Sequence, residues 1–516
     1  MFIIPFMKTI TNTILNNLLN TSPLVIGVVF LSAIGCQSKK NSELMWSKDF
    51  PVIGSQSSPR TVDLNGDGIL DIVMGAGKNE FQPSDMGILA INGNTGDLLW
   101  HHESEDQVYG SATFLDVNGD GVKDVFIGGR SPHFRAIDGK TGKLIWEYKY
   151  IYEDHPILQY ARFNFNNSVL VPDQNGDGLQ DLMTVNGGNA EAAAYELENR
   201  FPGVLMIFDS KTGEILAADS MPDGMESYMS PLVFEQPDNS EPLILFGSGG
   251  ETFSGNIYLA KLSDLMNQEL SKSKIVASET GQGFIAPPVL VDINKDGFYD
   301  FVAISHASTI FAIDGKSHQP IWKNKIEGTE CSNSFAVGYF NADDIPDFFT
   351  FASKGQWPEN TGSFQVMLDG KDGSISYMDS LGCTGFSSPV VYDLNRDGID
   401  EVIISINEYD CNRSIIDRSA FPVENRLIAI DFKNKKNWGI DQTKSFKNIF
   451  STPWIGDLDQ DGFLDIVHCQ YYSHSDVLSF LGMRIKRIDT HVKIKKDPVW
   501  GAYMGSEGDG IFRKNK

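Results

Sequence analysis

From residue 45 onward the chain is a succession of short apolar segments rich in Val, Ile, Leu and Phe, each soon broken by Gly, Asp, Asn or Thr. Segments such as "DIVMGAG", "PVVYDL" and "PWIGDL" have the length and β-branched content of strands, and the 3.6-residue spacing of amphipathic helices is scarce. The pattern predicts an all-β chain of short strands joined by tight turns. It argues against α/β repeats, which would place a helical pattern between successive strands.

The polar positions between strands are as regular as the apolar ones. In "TVDLNGDGILDIV", residues 61–73, Asp63, Asn65, Asp67 and Asp71 stand at positions 1, 3, 5 and 9 of a loop whose sixth residue is Gly68. Like charges so close repel unless a cation neutralises them, and oxygen ligands at this spacing suit a hard ion of high coordination number, calcium above all. Position 7, Ile69, would turn its backbone carbonyl to the ion. The loop is the first half of an EF-hand with a different exit, because Asp71 opens a strand and not a helix. A single copy reads equally as an Asn-Gly/Asp-Gly hairpin turn with solvated acids. The sequence holds six, which chance does not explain. The pattern returns as Asp116, Asn118, Asp120, Val122 and Asp124, and as Asp173, Asn175, Asp177, Leu179 and Asp181. It returns again as Asp292, Asn294, Asp296, Phe298 and Asp300, as Asp393, Asn395, Asp397, Ile399 and Glu401, and as Asp457, Asp459, Asp461, Phe463 and Asp465. About six Ca²⁺ sites are expected.

Five residues before each loop stands a Ser or a near substitute: Ser58, Ser111, Ser168, Pro287, Ser388 and Thr452. The same flank locates two decayed copies, with Ser230 and Glu235 in one and Ser334 and Tyr339 in the other. These lack ligand positions and are expected to bind no metal. The eight loop starts fall at 63, 116, 173, 235, 292, 339, 393 and 457, a period of 47 to 64 residues, the size of a four-stranded propeller blade. A second repeat fills each unit. "AINGNTGDLLW" ends at Trp100 and "AIDGKTGKLIW" at Trp146, with weaker versions ending at Trp322 and Tyr377. Each reads as a strand, a Gly-containing tight turn and another strand. The unit is then strand A, calcium loop, strand B, a variable B–C loop, strand C, tight turn and strand D.

The loop with its apolar flanks resembles the FG-GAP (VCBS-like) repeats of integrin α-chain propellers, and A-x-[DN]-x-x-T-G-x-x-x-W resembles the tryptophan-docking motif of quinoprotein-type eight-bladed propellers. Together they imply an eight-bladed β-propeller of four-stranded blades, and the second implies that Trp100 and Trp146 pack between neighbouring blades. "SELMWSKDF", residues 42–50, looks like a strand D with its Trp46 yet precedes the first strand A, while the eighth unit has no clear strand D of its own. The N-terminal segment is therefore expected to supply it, closing the ring and removing two open sheet edges.

Residues 1–35 read as a lipoprotein signal peptide, 36–44 as a tether and 45–516 as the propeller. The stretch from Met7 has a Lys8-bearing head, an apolar run at 24–34 too short to span a bilayer, and a small residue before Cys36. "SAIGC" resembles a bacterial lipobox, with Ala33 where Leu is usual. The resemblance implies that Cys36 is lipidated and that the protein is an outer-membrane or cell-surface lipoprotein, held to the membrane through that anchor only. A plain secretory signal with a coincidental Cys is the other reading. The formal net charge of −26 argues against nucleic acid as a partner. The 19 carboxylates at loop ligand positions account for much of it, and six calcium ions would return +12. Beyond Cys36 there are Cys331, Cys383, Cys411 and Cys469, without C-x-x-C or an adjacent pair. Cys331 and Cys383, near equivalent points of neighbouring units, suit either a disulfide in an oxidising compartment or two buried thiols.

The B–C loops vary most, and in a propeller they share a face with the D–A links, opposite the calcium loops. Variable loops on a fixed scaffold are where binding specificity usually lies. These offer Trp357, Tyr409, Arg413, Tyr471, Tyr472 and His474, which could stack on a sugar or grip a peptide, or could simply pack their own loops. Two function classes remain. One is a calcium-stiffened, lipid-held binding or scaffolding module for a protein or carbohydrate partner; the other is a propeller enzyme, a quinoprotein dehydrogenase or polysaccharide lyase. The chain has no adjacent Cys pair, no haem C-x-x-C-H and no repeated His, Asp or Glu constellation. A non-enzymatic binding module is expected.

Overall fold

The computed structural model describes residues 42–513 apart from 132, 190, 239–240, 358, 414–421 and 474–478. Cys36 and His474 therefore lie outside the described residues. Eight antiparallel sheets are arranged along the chain, the first seven built of strands sequential in the chain and the eighth completed by a strand from the N-terminal end. In the first, Arg60–Val62, Asp71–Gly75, Ser84–Ile91 and Leu98–Ser104 are strands A to D. Strand B is buried along its whole length in each of the first five blades, since a neighbouring blade packs on either side. That double burial is why it reads as an unbroken apolar run. The architecture is the expected eight-bladed β-propeller. The one α-helix among the described residues, Leu262–Met266, replaces the tight C–D turn of blade 4.

The ring closes as the sequence implies. Glu43–Pro51 pairs antiparallel with Gly482–Lys493 and forms the outer strand of blade 8. Its Trp46 donates from Nε1 to the Gly93 carbonyl of blade 1 at 2.8 Å. Trp100, Trp146 and Trp322 make the same bond to Gly139, Ser210 and Gly370 of the next blade, at 2.7, 2.8 and 2.8 Å. Each indole lies against the turn glycine of that next blade: a methyl group at Gly142 would come within 2.6 Å of Trp100, and one at Gly213 within 2.6 Å of Trp146.

The repeated serines tie the inner strands together. Ser334 N donates to Ser388 Oγ, Ser388 N to Thr452 Oγ1 and Thr452 N to Ser58 Oγ, each at 3.0 Å and each from one blade to the next. Between blades 2 and 3 the acceptor is Asn167 Oδ1, 2.6 Å from Ser111 N, and not Ser168.

Two features depart from the sequence reading. The C-terminal segment runs back along the inner strands: Ile455 N donates to Gly501 O (2.7 Å), Val391 N to Trp500 O (2.9 Å), Leu290 N to Gly510 O (2.9 Å) and Arg60 Nη2 to Tyr503 O (2.6 Å). It thereby plugs the central channel, with Trp500 1% exposed. Cys383 is bonded to Cys411 and not to Cys331; both bonded residues belong to blade 7, whose B–C loop folds back on the D–A link leading into it. Cys331 and Cys469 are buried thiols.

Candidate functional site: acidic loops and an axial cavity

In the first acidic loop, the Asp63 carboxylate accepts from Gly66 N (2.7 Å) and Gly68 N (3.0 Å), Asn65 Oδ1 from Asp67 N (2.9 Å) and Asp67 Oδ1 from Ile69 N (2.8 Å). Gly66 and Gly68 take φ of +76° and +84°, which side chains with a Cβ resist. The loops beginning at Asp116 and Asp173 repeat these bonds. Those beginning at Asp292 and Asp393 keep the same pattern with Lys295 and Arg396 at the first left-handed position.

Position 9 behaves differently. Asp71 is fully buried, with one oxygen accepting from Leu64 N and the other from Gly93 N of the C–D turn, both at 3.1 Å. Asp124, Asp300 and Asp347 accept in the same way from Gly139, Gly315 and Gly370. Asp347 does so in a decayed unit that lacks the first ligand, so position 9 ties the A–B loop to the C–D turn independently of any ion. Blade 8 has no such turn, because its outer strand arrives from the N-terminus. There Arg487 supplies the donors, Nε and Nη2 reaching Asp465 at 2.9 and 3.0 Å and Nη2 reaching Asp459 at 2.5 Å. Asp459 replaces the Asn of the other loops and balances this added charge. Ligand oxygens of Asp457, Asp459 and Asp465 lie within 4.8 Å of one another, and Asp457 Oδ1 and Asp459 Oδ1 are buried without a hydrogen-bond partner. Oxygen-only, acidic donor sets of this kind fit a hard divalent cation.

On the opposite face the D–A links bring one residue per blade to the axis. It is the residue two before each repeated Ser position: Gln56, Tyr109, Asn166, Tyr228, Ile285, Ser332, Phe386 and Phe450 all line a cavity of about 540 Å³. The B–C loops add Glu80, Arg130, Arg200, Glu251, His306 and Trp357, and the C-terminal plug adds Tyr503.

Both arginines of the cavity are paired with carboxylates. Arg130 reaches Glu80 at 2.5 Å and lies over the Tyr109 ring; Arg200 reaches Glu226 at 3.2 Å, and Tyr228 OH donates to the same carboxylate at 2.9 Å. Burial pushes the Glu226 carboxyl up, against the pull of Arg200. Glu330 accepts from Gln282 Nε2 and Trp357 N, each at 2.7 Å, and lies 3.6 Å from His306 Nε2. Burial pushes that carboxyl up too, but hydrogen bonding from His306 and Trp357 N holds it below the usual range. The remaining wall is aromatic: Trp357 meets Phe386 edge-on at 6.3 Å and Phe386 stacks on Phe450 at 5.5 Å.

No known family's sequence model matches the chain, and no curated protein matches it. Solved structures do match. The quinohemoprotein alcohol dehydrogenase ADHIIG from Pseudomonas putida HK5 is 11% identical over 89% of this chain and 78% of that one, with a TM-score of 0.54. A europium-containing methanol dehydrogenase is 10% identical over 87% and 93%, also with a TM-score of 0.54. The likeness is one of fold. Residue roles do not transfer across this propeller at such identity.

Of the loop residues picked from the sequence, Trp357 lines the cavity. Tyr471 does not face a ligand: it is 1% exposed and packed on Phe480, because strand B of blade 8 extends through it. Tyr472 ends that strand beside Phe446. Tyr409 bonds Thr384 Oγ1 at 3.3 Å, and Arg413 stays in the B–C loop of blade 7; neither lines the cavity. The ring of eight is marked in the sequence by its fixed offset from the repeated Ser and not by loop length or loop variability.

Proposed function

We propose that this propeller is a binding module of the bacterial cell envelope, held by a lipid on Cys36, stiffened by calcium in its six intact loops, and using the axial cavity to bind a protein or carbohydrate partner. The observation that carries the reading is the cavity itself. All eight blades contribute to it, its volume falls in the range of small-ligand sites, and polar groups converge in it beside exposed aromatic surface. Calcium suits such a role, since ions bound to the folded state alone stabilise the scaffold that places the loops. The test titrates the full-length protein in detergent with the separated protein and polysaccharide fractions of a bacterial envelope, following tryptophan fluorescence. A saturable change that Trp357→Ala removes is expected. No change from either fraction, together with quinone-dependent alcohol oxidation, would replace this reading by the dehydrogenase one.

A further inference from the structure

Resting on the cavity as the ligand site, we infer that its ligand is the end of a neutral oligosaccharide. The two sides of the cavity differ in kind. One is an aromatic wall, in which Phe386 stacks on Phe450 with 22° between their ring planes, Trp357 meets Phe386 edge-on, and Trp357 and Phe450 are each 37% exposed. The exposed rings offer apolar surface on which the C–H face of a pyranose ring can pack.

The arginines of the facing side argue against an anionic ligand. Arg130 and Arg200 are each engaged by a carboxylate, Glu80 and Glu226, so neither stands as an uncompensated cation for a phosphate or a carboxylate ligand. Paired this way, guanidinium and carboxylate present fixed donors and acceptors side by side. A sugar hydroxyl, which donates one hydrogen bond and accepts others, matches that mixture.

One buried group of the lining lacks a partner. Asn166 Nδ2 has no hydrogen-bond partner, although its residue is 7% exposed and lines the cavity. Buried polar atoms are almost always satisfied in folded proteins, and a ligand hydroxyl would satisfy this one. A cavity of about 540 Å³ takes a chain end of a few sugar units and not a folded domain.

The experiment is calorimetric titration of the full-length protein, in detergent with calcium, against neutral oligosaccharides of roughly three to six units built from glucose, mannose, galactose, xylose or N-acetylglucosamine. Saturable binding of at least one is expected, weakened about tenfold or more by Trp357→Ala and by Phe450→Leu. Both variants should keep the wild-type melting midpoint. If no neutral oligosaccharide binds, or if binding ignores both substitutions, the inference is overturned. A heparin fragment or a lysine-rich peptide binding in a Trp357-dependent manner would overturn it while leaving the cavity as a binding site. Silence from neutral and charged probes alike would remove both.

Discussion

Asp67 and Asp71 stand four residues apart and answer to different partners. Asp67 is exposed and accepts only Ile69 N, within its own loop, whereas Asp71 is buried and holds Leu64 N and Gly93 N at once. Asp67→Ala should therefore cost stability only through a lost ion ligand, a few kcal/mol at most with calcium present and little in chelator. Asp71→Ala strands two buried donors and should cost about 1–3 kcal/mol for each, with or without metal. Asp344, in the decayed unit, forms an exposed ion pair with Lys295 at 2.5 Å, so Asp344→Ala should stay within about 0.5 kcal/mol. Melting each variant with and without chelator checks the set. Equal losses for Asp67→Ala in both conditions would mean the loops are ordinary acidic turns.

At the scale of the elements, the tryptophan-docking repeat proves to be shared between blades: its Trp packs forward, and its Gly receives the Trp of the blade before. The coupling shows where the repeat decays. Strand D of blade 4, Lys274–Glu279, has no Trp, and the turn of blade 5 carries His318 at φ +57° in place of the glycine. Gly142→Ala, at φ +69° against Trp100, should then destabilise by about 2 kcal/mol or more, while His318→Gly should change stability by no more than about 1 kcal/mol. Denaturant titration of the two separates them, and a tolerated Gly142→Ala would show that the indole is free to move aside. Local chemistry of this sort made most of the fold legible: turn glycines, apolar runs and the displaced "SELMWSKDF" placed eight blades and the seam. What stayed hidden depends on contacts between distant segments. Nothing near Cys411 marks it as the partner of Cys383, and nothing in residues 494–513 announces a channel plug. Tyr471 resembled a loop residue because its strand outruns those of its siblings.

For the molecule as a whole, stability depends on both ends of the chain, as expected where each blade leans on its neighbours. Deleting residues 42–51 removes Trp46 from Gly93 and bares the edge of Gly482–Lys493. The truncated protein should melt several degrees lower, by about the amount a loss of 1–2 kcal/mol gives a large domain, and should self-associate. Light scattering and a melt check this, and a synthetic 42–51 peptide should reverse both effects. A monomer with an unchanged midpoint would mean the seam is dispensable.

The seam also sets an orientation. Glu43, where the closing strand starts, is paired with Asp489, at the rim that carries the acidic loops, and the strand then runs toward the D–A links and the cavity. Six residues lie between Cys36 and Glu43, so the seven steps of chain span at most about 25 Å when fully extended. With a lipid on Cys36 as proposed, the acidic loops would face the bilayer, next to its headgroups and their counter-ions. The mouth of the cavity would point away from the membrane, toward whatever the envelope carries past it.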